Sequence, residues 1–231
     1  RWYAAALVLR CSPLNRALCD SEESLGYTKK EWKRRYSERS DLATSVVHLT
    51  KAKPKKSIVK MMYKILDSQT LLGSTTESGF IVGSDRAVCF QDAPVHAVCQ
   101  NCWFEQKLGE QDESVKVRYN PSGFLFHKQL VYKAGGRPVI YDKTFDAKKY
   151  LPQSEWWRIV HFNLTNDQQF IDWTHEREWR VKGDFTFKLS DVTLLFTKPS
   201  TYKRFIEHCD KKGNPLYKKV AGVIVTEQVF F

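Results

Sequence analysis

The chain has 231 residues, of which 42% are hydrophobic and 13% aromatic, with seven tryptophans. That composition fits a folded globule with an aromatic-rich core and excludes a disordered, low-complexity tail. Lysine and arginine outnumber aspartate and glutamate by 37 to 26, a formal charge of +11 that favours polyanionic partners such as nucleic acid.

Residues 1–44 read as an N-terminal helical arm and residues 45–231 as one α+β domain. Trp2 to Leu9 is apolar but far shorter than the ~20 residues of a membrane span, and no later run is longer. Thr28 followed by Glu31 is a capping-box pattern, predicting a charged helix that ends near Arg39. Ser45 to Lys51 is β-branched and apolar, a core strand carrying His48. A basic turn follows, with Lys51, Lys53, Lys55 and Lys56 broken by Pro54, and these lysines are candidates for nucleic-acid contact. Ile58, Met61, Met62, Ile65 and Leu66 have helical spacing, and Leu71 to Gly73 is expected to close that helix.

Ile81–Val82 and Ala87 to Phe90 read as short strands, and Gln91 to Pro94 as a turn opening a helix through Trp103. Leu108 to Glu113 is expected to be a loop. Gly123 to Val131 fits strand and helix equally. Gly135–Gly136 predicts a turn into a strand ending at Tyr141. Lys148 to Phe162 is expected to be a helix running into a strand. Thr174 to Phe187 reads as one strand, with Thr174, Glu176, Glu178 and Arg180 on one face. Val192 to Phe196 and Val220 to Val225 are two more strands, with a helix between them that Ser200 caps. The sum is a mixed, mainly antiparallel sheet flanked by helices.

The six cysteines are Cys11, Cys19, Cys89, Cys99, Cys102 and Cys209; without a signal-peptide pattern they predict reduced thiols and a cytoplasmic location. Cys99 and Cys102 form a lone CxxC with only His96 and His127 as nearby further ligands, so no metal site is expected. The densest chemistry lies in His175 to Arg180, five ionisable side chains in six positions. A salt-bridged edge strand and a carboxylate-bearing cleft wall both fit that run.

In order along the chain, Val47-His48-Leu49-Thr50-Lys51, Val88 to Pro94, Gly136 to Tyr141 and Glu176 to Val181 resemble the signature of the AbiGi family of abortive phage-resistance proteins. That family is described as the antitoxin half of a phage-defence toxin–antitoxin pair. The layout is also similar to the ADP-ribosyltransferase fold, in particular its DarT-like, DNA-modifying branch. The resemblance implies NAD as substrate, with His48 and Thr50 on the ribose, Tyr141 on nicotinamide, and Glu178, with Glu176 competing, as the catalytic carboxylate. Arg137, with Arg86 and Lys51, would pair with the pyrophosphate. It further implies a nucleic-acid or protein acceptor, or, for a non-enzymatic antitoxin or binding module, a cognate toxin or DNA. His48 and the glutamate must then share one cleft, with His48 and Glu178 on the same face of the sheet if the site is as assigned, and Glu178→Gln is expected to leave the fold intact.

Overall fold

The computed structural model describes residues 26–50, 57–111 and 122–229. The chain divides into two compact units, Arg1–Arg39 and Ser40–Phe231. In the first, helix α1 (Lys29–Ser37) begins at a complete capping box: Thr28 Oγ1 accepts from Glu31 N–H, and the Glu31 carboxylate accepts from Thr28 N–H at 2.8 Å. Residues 40–44 belong with the second unit, where Arg177 donates to the Asp41 carbonyl at 2.7 Å and Lys128 N–H to that of Thr44 at 2.9 Å.

The second unit is α+β. Its main elements in chain order are β1 (Ser45–Leu49), α2 (Ile58–Ser68), β2 (Thr70–Leu71), β3 (Ala87–Gln91), α3 (Val95–Gln111), β4 (Gly123–His127) and α4 (Lys128–Lys133). They continue with β5 (Arg137–Pro138), β6 (Ile140–Asp142), α5 (Thr144–Tyr150), β7 (Ile159–His161), β8 (Glu178–Lys182) and β9 (Phe185–Thr186). Strand β10 (Val192–Phe196), helix α6 (Pro199–Lys211) and strand β11 (Gly222–Val225) complete them. A seven-stranded sheet runs β11-β10-β4-β1-β3-β8-β5, antiparallel throughout except for the parallel β10–β11 pair. Strands β2 and β9 form a small antiparallel sheet, and β6 and β7 a parallel one.

Each face of the large sheet buries the alternate side chains of its strands. Val46, Val88, Phe90, Phe124, Phe126, Val181, Leu194 and Phe196 pack with Met62 and Leu66 of α2 and Phe205 and Cys209 of α6. Val47, Leu125 and Leu195 pack on the other side with Val98 and Cys102 of α3. The aromatic content predicted from composition is concentrated in the first layer, where Phe185 meets Phe126 at 5.0 Å and Phe90 at 5.4 Å, both edge-on.

Several local expectations are corrected. Ile81–Val82 is not a strand, because the flanking Gly79 and Gly83 have positive φ and bend the chain around a buried Ile81. Helix α2 ends at Ser68 with Gln69 in the left-handed region, and Thr70–Leu71 already forms a strand. Helix α3 runs on to Gln111, so 108–111 is helical where a loop was expected. Gly123 to Val131 is both alternatives in succession, strand β4 and then α4. Lys148 to Arg158 is no single helix: α5 stops at Tyr150 ahead of Pro152, and a 3-10 turn over Gln153–Arg158 delivers β7. Helix α6 starts one residue before Ser200, with Pro199 in its first turn.

The largest correction concerns Thr174 to Phe187. The Asp172 carboxylate accepts from Thr174 N–H at 2.9 Å and from its hydroxyl at 2.6 Å, winding Thr174–Glu176 into one 3-10 turn. Arg177 then takes φ 44°, and only from Glu178 is the chain extended. Gly183, at φ 76°, ends β8, and Phe185–Thr186 leaves for the β2–β9 sheet.

Gly123 pairs with Leu49 where β4 crosses β1, and any Cβ there would collide with the His48 carbonyl. Gly123→Ala is expected to cost about 1–3 kcal/mol, read as a fall in melting temperature of about 2–4 °C per kcal/mol.

Candidate functional site

A cavity of about 410 Å³ opens where β1 and β3 part. These two strands share one ladder pair, Val47↔Gln91, whereas β1 pairs with β4, and β3 with β8, over five positions each. The walls come from Val47, His48 and Leu49 on β1, Val88 to Gln91 on β3, and Glu178 on β8. Glu176, Val160 and Trp173 add to them, and Leu72 and Phe80, largely exposed, mark the mouth.

His48 Nδ1 lies 2.8 Å from the Cys89 carbonyl oxygen. A carbonyl only accepts, so Nδ1 carries the proton and Nε2 is the unprotonated nitrogen. Burial lowers the His48 pKa against the opposing effect of this bond, which favours the neutral ring. The imidazole thus takes up a strand carbonyl near the point where the β1–β3 ladder stops.

Strand alternation settles which side chains face each other. Val47, Gln91 and Glu178 are paired in one row across β1, β3 and β8. His48 pairs with Phe124 and packs edge-on to Phe90 at 5.8 Å, in the opposite layer. His48 and Glu178 border one cavity from opposite faces of the sheet. The site as assigned, with His48 and Glu178 on one face of the sheet, is therefore corrected; the two instead border a space that the parting of β1 and β3 opens to both layers.

Glu176 and Glu178 are 6% and 8% exposed, so both carboxylates are withdrawn from bulk water beside the cavity. They are not successive residues of one strand face, because the left-handed Arg177 separates the 3-10 turn from β8. Glu178 Oε1 accepts from Arg180 Nε at 2.7 Å and Oε2 from Nη2 at 3.2 Å. The guanidinium, itself 2% exposed, also donates to the carbonyls of Trp157, Ile159 and Phe80. Glu178 is thus one half of a buried ion pair, and Glu178→Gln is no longer expected to be silent in the fold.

The remaining expected site residues lie elsewhere. Tyr141 is absent from the cavity wall; its hydroxyl oxygen accepts from Glu178 N–H at 2.8 Å, and burial pushes its pKa up to about 12. It braces the start of β8. Arg137 stacks on Tyr132 with 4.1 Å between guanidinium carbon and ring centre and donates to the Tyr132 and Gly136 carbonyls. Thr50 gives both its N–H and its hydroxyl to the Ser122 carbonyl. Neither lines the cavity. Arg86 is paired with Asp184 at 2.6 Å. Lys51, Lys53, Lys55 and Lys56 lie outside the described residues.

Burial raises the thiols of Cys99 to about 11 and Cys102 to about 12, and raises Cys89 well above its ordinary value, with the Glu178 charge adding to it. His96 and His127 are exposed while Cys99 and Cys102 are buried, and no group of three or more possible ligands occurs among the described residues. None of the described helices is long and apolar enough to cross a membrane.

Gln91 escaped the sequence reading. It is 5% exposed and borders the cavity, yet neither its Oε1 nor its Nε2 has a hydrogen-bond partner among the described residues. Beside Asp92-Ala93-Pro94 it looked like a turn residue. The alternation Ala87-Cys89-Gln91 was the available signal that it extends the strand.

Against known protein families, curated proteins and solved structures, the chain has no match.

Removing one partner of the Glu178–Arg180 pair leaves a buried charge alone. Glu178→Gln and Arg180→Met are each expected to destabilise by about 3–5 kcal/mol, and the double variant by less than their sum; denaturant unfolding of the four proteins measures this.

The lowered His48 pKa has a defined sign. The unfolded chain takes up the proton near its ordinary value of about 6.5, before the folded protein does, so stability present above that pH is lost as pH falls below it. His48→Gln is expected to flatten the decline of melting temperature between about pH 7 and 5 relative to wild type.

Proposed function

We propose that the protein is an NAD-using, ADP-ribosyltransferase-like enzyme of phage defence, acting on nucleic acid or protein. The observation that carries the proposal is the meeting of two buried carboxylates, Glu176 and Glu178, with the first-strand His48 around one cavity. The resemblance to AbiGi and DarT-like sequences supplies the reaction. In it the bond between nicotinamide and ribose breaks, nicotinamide leaves with the electron pair, and an acceptor nucleophile adds to the ribose carbon and sheds its proton. A carboxylate accepting from a ribose hydroxyl stabilises the positive charge that develops on the sugar. Glu178, with Glu176 competing, is the candidate for that role, and Arg180 would hold the Glu178 carboxylate in place.

The same ion pair favours a second reading. A carboxylate neutralised by its own arginine suits a fold that serves as a non-enzymatic antitoxin or as a nucleic-acid- or toxin-binding module.

Release of nicotinamide from NAD, with DNA, RNA and protein acceptors supplied in turn, separates the two. For the enzyme, Glu178→Gln and Glu176→Gln are each expected to lower turnover about 100- to 1000-fold when assayed well below the variant's melting temperature. Absence of nicotinamide release by the wild-type protein with every acceptor would leave the binding module.

A further inference from the structure

The seven-stranded sheet has two edges, and they are built differently. Strand β5 is two residues long and carries Arg137 and Pro138, a charge and a residue with no N–H, both of which discourage a further strand. Strand β11 forms the other edge with Gly222-Val223-Ile224-Val225, free of charge and of proline, and β10 is its one strand partner among the described residues. One side of its backbone therefore presents N–H and C=O groups to no ladder. The surroundings of that edge are apolar. Val229, in the 3-10 turn Thr226–Val229 that follows β11, is 42% exposed. Helix α3 packs against this turn, with the Cys99 thiol hydrogen-bonded to the Thr226 side chain. Trp103 lies one helical turn on from Cys99, on the same side of α3, and is 45% exposed.

We infer that β11 is a self-association edge, on which a second copy of this chain lays its own β11 antiparallel and continues the sheet across a two-fold axis. Charge selects both the partner and the direction. Lys219, exposed, and Glu227, half-buried, flank β11 at opposite ends. A parallel neighbour would set lysine against lysine and glutamate against glutamate. Antiparallel pairing centred on Val223 sets each Lys219 beside the Glu227 of the other copy, because 219 and 227 are equidistant from 223. In one copy the Lys219 ammonium donates to the Asn214 carboxamide oxygen at 3.2 Å, an exposed bond that a carboxylate can replace. The same register puts Val223 opposite its own copy in the layer it shares with α6, and Gly222 opposite Ile224 in the layer of α3. The two α3 helices then lie on one face of the joined sheet with Trp103 on the flanks that approach, and tryptophan is among the residues that carry most interface energy.

Sedimentation of the full chain between about 1 and 100 µM is expected to show a monomer–dimer equilibrium. Lys219→Glu and Glu227→Lys each turn two symmetry-related ion pairs into like-charge contacts, and each is expected to raise the dimer dissociation constant about tenfold or more. The charge-swapped double variant is expected to return to within about threefold of wild type, which a role for either residue inside its own copy would not produce. Amide hydrogen exchange of the wild-type protein reads the backbone directly: protection of residues 222–225 is expected to rise with protein concentration. A monomer across the whole range, a dimer whose β11 amides exchange equally fast at every concentration, or a double variant no tighter than the weaker single one would overturn the inference.

Discussion

A buried guanidinium cannot stand without counter-charge and acceptors, and Arg180 meets that demand by tying the 157–159 stretch and the Phe80 loop to its own strand. Glu178 supplies the charge; Trp157, Ile159 and Phe80 supply carbonyls at 2.8 to 3.2 Å. Those carbonyls belong to the 3-10 turn before β7, to β7 itself and to the loop at the cavity mouth. Much of one cavity wall is therefore positioned by a single side chain, and the charge is affordable only because every direction of the planar fork is used.

Opposite that wall, the sheet is held open by a substitution of one hydrogen bond for another. Beyond Val47↔Gln91 the β1–β3 ladder is not continued, and the His48 imidazole meets the Cys89 carbonyl instead. His48, expected from the sequence to meet a ligand, thus has a structural task at the same place. Its unprotonated Nε2 remains chemically distinct from the bonded Nδ1, so the two roles are compatible.

The strands with strong alternation were legible: β1, β3, β10 and β11 lie where β-branched and apolar residues predict them, and the capping box at Thr28 is formed. Reading failed where a side chain bonds its own backbone. Asp172 curls Thr174–Glu176 into a turn although the residue pattern suits a strand, and Arg177 adopts a conformation that its type disfavours. The site was half visible. Glu176, Glu178 and His48 could be nominated from residue type and order, but Arg180's hold on Glu178, Tyr141's turn toward the β8 backbone and the orphaned amide of Gln91 depend on register between distant strands. No local window contains that information.

The scarcity of bonds between β1 and β3 makes the seven-stranded sheet two cooperative blocks meeting at a seam. One block is β11-β10-β4-β1, the other β3-β8-β5. Each is laddered internally, but a single pair stitches them. Opening at the seam breaks far fewer backbone bonds than melting either block, so the amides along it belong to the low-energy end of local unfolding. Within the large sheet, backbone pairing is sparsest along the line that the cavity follows.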